Sequence, residues 1–321
     1  MLLALQQMCA ELSDVCLLKA IDQFPGVHDG GRLLNVFDPE ALFLEIHPSE
    51  RSLELAAEFH RHKPDLILIG YARQCDRPRR AQAAKAGVAD VLIAPFSTDE
   101  VRSTLVRAFQ TRPPEIHRNL VAYLPAKPGN GASTTALHTA GTLSAVGRKV
   151  LVIDADRQNG VLALRTGVSP THSLDEALAT AHELNEGTWE YRRHRAGGYD
   201  LLPTAQRPAA HGFAPWSYRR LLRFLISHYD NVLVDLGGVP ADGSETFLQQ
   251  ARAVQLVTGA DEASLFLAER RREELRALRL DELRIETVDA PARAADEAAS
   301  GGLFSALRRR VLAHGHRDRR A

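Results

Sequence analysis

Two α/β domains, each built on a mostly parallel sheet, are what this sequence predicts. Three observations carry that expectation. Short apolar runs alternate with amphipathic helical stretches along the chain, the pattern of a parallel sheet covered on both faces. The chain has 321 residues, more than one typical domain uses. The alternation is interrupted in the polar stretch Thr111 to Asn119 by Pro113 and Pro114, a pair through which no helix continues.

Composition narrows the setting. Apolar residues make up 45%, enough for two buried cores, and the formal net charge is zero. A whole-chain polyanion binder is therefore not expected, although a local patch is. The three cysteines, Cys9, Cys16 and Cys75, match no zinc or redox spacing, which favours reduced thiols in a reducing compartment. The first residues lack the basic start and apolar core of a secretory leader. No apolar run approaches the ~20 residues that span a bilayer. A soluble cytoplasmic protein is expected. The histidine pairs His60/His62 and His314/His316 have no acidic or cysteine partners at ligand spacing, so no metal is assigned to them.

The first domain is placed at 1–110 and a linker at 111–119. Strand candidates are Val15 to Ile21, Ala41 to Ile46, Leu66 to Gly70 and Asp90 to Ala94. Helices are expected over Glu50 to His62, Arg77 to Ala86 and Thr98 to Phe109, where apolar residues recur at helical spacing. Ser97-Thr-Asp-Glu100 opens the last of these as a capping box.

The second domain is placed at 120–289. Its strand candidates are Leu120 to Leu124, Lys149 to Ile153, Tyr199 to Leu202, Asn231 to Asp235 and Ala253 to Thr258, with a weaker one near Arg284 to Val288. Long helices fit Ser133 to Val146, Trp216 to His228 and Ala263 to Arg279. Trp189 and Trp216 read as core or interface residues. Residues 290–301 read as a loose Ala-rich connection, followed by a helix and a basic tail to 321.

Three segments carry chemistry. In Leu120-Val-Ala-Tyr-Leu-Pro-Ala-Lys-Pro-Gly-Asn-Gly-Ala-Ser-Thr-Thr-Ala136 an apolar strand runs into a glycine-bearing turn and then a helix. That layout offers backbone N–H groups and a helix N-terminus to a phosphate. Gly129 and Gly131 let the backbone approach oxygen atoms closely. Asn130, Ala132, Ser133 and Thr134 complete the turn, and the Ser133 or Thr134 hydroxyl suits Mg²⁺. Ala132 stands where an ordinary phosphate loop has lysine. Arg148 to Gly160 is a buried strand ending in Asp154-Ala-Asp156. His228 to Gly238 is a second such strand ending in Asp235, an arrangement that holds Mg²⁺ through water. Each segment alone also reads as a plain structural turn or strand end. In order, all at carboxyl ends of strands, they point to the edge where open α/β sheets bind ligands.

These residues resemble the ParA/MinD class of P-loop nucleotide-binding proteins. Lys127 matches the signature lysine of that class's deviant loop, which reaches the phosphates of a partner subunit across a nucleotide-sandwich dimer. The resemblance implies ATP and Mg²⁺ as cofactors. It gives Lys127 and Asp156 catalytic roles, Asp154 and Asp235 with Ser133 a part at the metal, and Gly237 or Gly238 an N–H toward the γ-phosphate. Loss of the second lysine at Ala132 implies weak or absent hydrolysis. The 1–110 segment resembles a receiver domain without its first strand. Glu45 is the best match to the family's phosphoacceptor and Ala94 to its lysine, which implies an interaction module without phosphorelay chemistry.

The two domains together look like the CpaE/TadZ branch. That likeness implies a homodimer that helps localise a Tad/Flp-type pilus or secretion assembly, cytoplasmic and in places polar or peripheral at the inner membrane. Departures are Pro128 in the loop and Glu286 to Pro291, which does not match the base-binding segment. Residues 300–312 place Leu303, Phe304, Leu307 and Val311 on one side of a helix beside Arg308, Arg309 and Arg310. This reads as a last packed helix, with peripheral membrane contact as the alternative. A nucleotide-free scaffold and a partition ATPase that coats DNA stand as alternative functions. DNA is the less favoured partner, because the sequence shows no compelling basic stripe outside the tail.

Overall fold

Alternating apolar runs and amphipathic stretches fold into two units in the computed structural model, Met1–Pro113 with Ala214–Trp216, and Pro114–Phe213 with Ser217–Ala321. It describes residues 1–12, 15–46, 50–111, 115–207, 212–238, 245–278, 280–281 and 284–289. Both units are α/β with mostly parallel sheets. The expected segment 290–321, with its amphipathic helix and basic tail, lies outside the described residues.

The first unit contains α1 (Leu2–Glu11), α2 (Val27–Phe37), β1 (Ala41–Glu45), α3 (Arg51–His62), β2 (Ile67–Ala72), α4 (Arg77–Lys85), β3 (Val88–Ile93) and α5 (Thr98–Thr111). The strands form a parallel sheet in the order β1-β2-β3. Residues on β2 alternate between faces. Ile67, Ile69 and Tyr71 pack with Leu5 of α1 and Leu105 and Phe109 of α5. Leu68 and Ala72 pack with Leu34 of α2, Leu55 and Phe59 of α3 and Ala83 of α4. The capping box at α5 is formed in both directions: the Ser97 N–H donates to Glu100 at 2.8 Å, and the Glu100 N–H to Ser97 at 3.2 Å.

Two elements differ from the sequence expectation. Val15 to Ile21 is not a strand; Leu17, Leu18 and Ile21 are exposed and pair with no sheet among the described residues. An apolar run makes a strand only where a neighbouring strand offers it a ladder. Helix α2 was not expected, because Gly30 and Gly31 sit inside it and glycine lowers helix propensity. Its packing compensates: a Cβ at Gly30 would lie 2.4 Å from the Phe59 ring, so glycine lets α2 approach α3.

The second unit contains β4 (His117–Pro125), α6 (Ala132–Ala145), β5 (Val150–Asp154), α7 (Leu162–Thr166), α8 (Leu174–Ala179), α9 (Glu186–Arg192), β6 (His194–Ala196), β7 (Tyr199–Leu202), α10 (Pro215–His228) from Ser217 onward, β8 (Asn231–Asp235), α11 (Glu245–Gln250), β9 (Ala251–Thr258), α12 (Glu262–Ala277) and β10 (Ile285–Asp289). Strand β4 begins at His117, inside the stretch read as linker. The seven strands are ordered β10-β9-β4-β8-β5-β7-β6, all parallel except β6 against β7. Helices cover both faces. Leu120, Leu151, Val232 and Leu256 pack on one side against α8, α9, α10, α11 and α12. Val121, Val152, Leu233 and Val257 pack on the other against α6 and α7. Trp189 is a core residue whose indole N–H donates to the Tyr229 hydroxyl at 2.8 Å.

Candidate phosphate-binding site

Three buried strands deliver the site. Neighbours β4, β8 and β5 run parallel, so their carboxyl ends lie side by side. In register, Tyr123 faces Asp235 and Asp235 faces Asp154. The ladder continues past the strand ends: the Leu236 N–H donates to the Tyr123 carbonyl at 3.0 Å, and the Ala155 N–H to the Asp235 carbonyl at 2.8 Å.

The turn between β4 and α6 takes its shape from two glycines and one asparagine. Gly129 and Gly131 have φ of 89° and 86°, the left-handed region that glycine enters without steric cost. Asn130 is buried. Its side-chain carbonyl accepts the Lys127 N–H at 2.8 Å, and its amide donates to Ser264 at 3.0 Å. Gly131 caps α6, whose first N–H groups face the turn. Ala132, Ala136 and Ala140 stack on one side of α6 and are buried against the sheet. Small side chains there bring the helix N-terminus close to β4. Ala132, where the lysine of an ordinary loop would stand, thus belongs to the helix–sheet packing.

The acidic residues meet this turn. Ser133, in the first turn of α6, is near enough to Asp235 to influence its carboxyl. Burial pushes the Asp235 carboxyl above its ordinary value; Ser133, the Gly237 N–H and the Arg165 charge oppose that, and Asp156 adds to it. Asp154 is 1% exposed. Burial raises its carboxyl to about 7, the charges of Asp235 and Asp156 adding to the rise while N–H bonds from Leu162 and Asp156 oppose it. Its Oδ2 accepts the Leu162 N–H at 3.0 Å, whereas its Oδ1 is buried without a hydrogen-bond partner. Asp156 shapes the next turn, accepting the Asn159 N–H at 2.9 Å. Its carboxylate lies against Gly237, where a Cβ would fall 2.0 Å from Oδ2. Gly237 has φ of 63°, and the Gly238 N–H is spent on the Leu236 carbonyl at 2.6 Å.

One side chain points elsewhere. The Lys127 ammonium donates to Asp261 at 2.7 Å. This contact, with two bonds from Ser264, holds the Asp261 carboxyl well below the usual range. Lys127 is thus bound within its own chain, at the N-cap of α12. Of the sequence candidates, Gly129, Asn130, Gly131, Ala132, Ser133, Thr134, Asp154, Asp156, Asp235 and Gly238 share one sheet edge. Sequence reasoning missed Asp261 and Ser264, which tether the turn, and Arg165, whose Nη1 donates to the Thr134 hydroxyl at 2.5 Å. Basic residues on short helices give no period or motif by which to find them.

The arrangement fits a hydrated divalent cation bound beside phosphate. Among the described residues no group of three or more His, Cys, Asp or Glu side chains could hold a metal alone. Mg²⁺ seldom asks for that: it keeps waters and takes one or two protein oxygens plus phosphate oxygens. Ser133, Asp235 and the unpartnered Asp154 Oδ1 are the oxygens offered here. Beside Asp154 a cavity of about 470 Å³ opens, lined by Gly160, Leu164, Pro170, Thr204 and Gln206 among others.

No family model matches the chain. It is 31% identical over 123 residues to the tyrosine-protein kinase etk of Escherichia coli strain K12, a match covering 38% of this chain and 16% of that protein. It is similar to the crystal structure of a ParA family ATPase from Chlorobium tepidum TLS, at 21% identity and a TM-score of 0.47 over 57% of this chain and 81% of that one. It is also similar to the septum site-determining protein MinD complexed with Mg-ADP from Pyrococcus horikoshii OT3, at 19% identity and a TM-score of 0.42 over 56% and 76%. The chain thus spans a small part of the curated kinase it matches, and its own geometry describes an α/β protein with a glycine turn and three aspartates at one sheet edge.

Proposed function

We propose that the second unit binds ATP with Mg²⁺ as a ParA/MinD-type switch protein and hydrolyses it weakly or not at all. The observation that carries this reading is the shared sheet edge: Asp235 and Asp154 end neighbouring strands in register, Asp156 follows two residues on, and the glycine turn after β4 leads into α6 at the same edge. The Ser133 hydroxyl in the first turn of α6 and the Asp235 carboxylate at the end of β8 supply two of the oxygens that a Mg²⁺–triphosphate pair requires. Bound Mg²⁺ would neutralise phosphate charge. The chain's part is to present the N–H groups of residues 129–134, to hold Asp235 at the metal's water shell, and to orient an attacking water with Asp156. Ala132 brings no charge to the phosphates, which motivates slow turnover.

In this reading two copies pair across the nucleotide, and Lys127 leaves Asp261 for the partner's phosphates. The cellular role is that of a CpaE/TadZ-like localisation factor for a pilus or secretion assembly, with the first unit as its protein-interaction module. Binding of a fluorescent ATP analogue, with and without Mg²⁺, tests the proposal in wild type and Lys127→Ala. Saturable Mg²⁺-dependent binding with slow turnover is expected, and Lys127→Ala should impair nucleotide-driven self-association more than binding by the monomer. Absence of binding, or fast turnover, would overturn it.

A second reading is a scaffold that no longer takes nucleotide. Buried Ala132 and the engaged Lys127 favour it; ATP carried through purification of the native protein would dispose of it. A partition ATPase that coats DNA is compatible with the same site, and salt-sensitive DNA binding switched on by ATP would mark it.

A further inference from the structure

We propose that Arg165 supplies the positive charge that the phosphate loop lacks at Ala132, binding the polyphosphate of the nucleotide directly. The inference rests on the nucleotide reading above and adds a phosphate-binding residue to it.

The charge inventory of the site motivates the assignment. Asp154, Asp156 and Asp235 bring three carboxylates to one sheet edge, and a triphosphate would add more negative charge. Backbone N–H groups carry only partial charge. Lys127 is held at 2.7 Å by Asp261. Ala132 is buried in the helix–sheet packing. Arg165 is the cation aimed at the turn from the other side. Its Nη1 reaches Thr134, one residue after Ser133 and in the first turn of α6. Its charge is also near enough to Asp235 to draw that carboxyl's acidity the other way from burial.

The backbone places Arg165 there by a specific route. After Asp154 the chain turns through 156–160 and enters α7 at Leu162, whose N–H is fixed by Asp154 Oδ2 at 3.0 Å. Gly160 is required for the turn, since a Cβ there would fall 2.2 Å from Thr204 and 2.8 Å from Asp154 Oδ2. Arg165 comes one helical turn after Leu162 and emerges toward α6. The side chain is exposed, and its contact with Thr134 occupies one of its five N–H donors. A planar fork of donors at the phosphate turn suits paired phosphate oxygens. The unpartnered Asp154 Oδ1 at the same edge is a second sign that a ligand completes the site.

The test compares Arg165→Gln and Arg165→Lys with wild type by calorimetric titration of ATP, ADP and adenosine, each with Mg²⁺. Arg165→Gln should weaken ATP and ADP roughly 10- to 100-fold, leave adenosine unchanged, and leave the melting temperature without nucleotide close to wild type. Arg165→Lys should retain part of the affinity. A residue that only stabilised the fold would lower melting and weaken all three ligands alike, which would overturn the assignment. Wild-type binding matched by Arg165→Gln would overturn it while leaving the nucleotide reading intact. A wild type that binds none of the ligands would defeat both.

Discussion

The chain's two parallel sheets differ most at their carboxyl ends. In the first unit β1 ends in Glu45, β2 in Ala72 and β3 in Ile93. One half-buried carboxylate stands there, and it helps burial raise the Tyr71 hydroxyl's pKa. In the second unit two fully buried aspartates end neighbouring strands, Asp156 follows two residues on, and a glycine turn faces them. Layering alone does not make a site, since both sheets are sandwiched by helices. What separates them is charge kept in a place where burial makes it costly, and natural folds hold such charge mainly where function uses it.

The comparison can be tested first through ion pairs. In the second unit Arg157 and Asp175 pair bidentately at 2.8 and 3.0 Å with both side chains nearly buried, and Arg157 also covers Phe213. Asp175→Ala should cost about 3–5 kcal/mol in urea unfolding, because it removes one half of a nearly buried bidentate ion pair. In the first unit the Arg107–Asp90 pair is largely exposed, and Asp90→Ala should cost less than about 1 kcal/mol. Equal losses would erase the contrast.

Next in size is the response to pH. Asp154 titrates near 7 in the folded chain and near the ordinary carboxylate value when unfolded. The folded state therefore holds a proton that the unfolded state has released, so stability falls as pH rises from about 4 to about 7, by up to about 4 kcal/mol. Asp154→Asn should flatten that slope and raise stability at pH 8. Thermal melts of both proteins across this range check it, and parallel profiles would refute it.

A smaller effect is expected on ligand binding. Asp235→Ala should weaken Mg²⁺-dependent ATP binding on the order of 100-fold, whereas Glu45→Ala in the first unit should leave it unchanged. Smallest is an expected null: incubation with acetyl phosphate and Mg²⁺ should leave the first unit unmodified by intact-mass measurement. A stoichiometric phosphate adduct lost in Glu45→Ala would show that the first sheet also carries chemistry.

Most of the second sheet was legible because its central strands are nearly continuous apolar runs, two of which, β5 and β8, end in aspartate, and buried parallel strands read that way. Ser133 and Asp235 were readable from the strand–turn–helix layout and the strand end, whereas Lys127 and Asp156 were singled out through the resemblance to the ParA/MinD class. The short pieces were not. Strand β6 has three residues, His194–Ala196, with no apolar signature, and it pairs only because the turn at Gly197 folds it onto β7. Helices α7 and α8 are too short for a helical period. Val15 to Ile21 failed in the opposite direction, since composition suits a strand but no neighbour pairs with it. Arg165 and Asp261 were invisible because their role depends on which loops meet across the sheet edge, and spacing along the chain does not encode that.

Calorimetric titration of the full chain with ATP and Mg²⁺, wild type beside Asp235→Ala, tests the central claim most directly. Saturable heat in the wild type that needs Mg²⁺ and collapses in the variant is the predicted result. A wild type that gives no heat, or a variant that binds as tightly, would contradict the claim that these three strand ends form a nucleotide site.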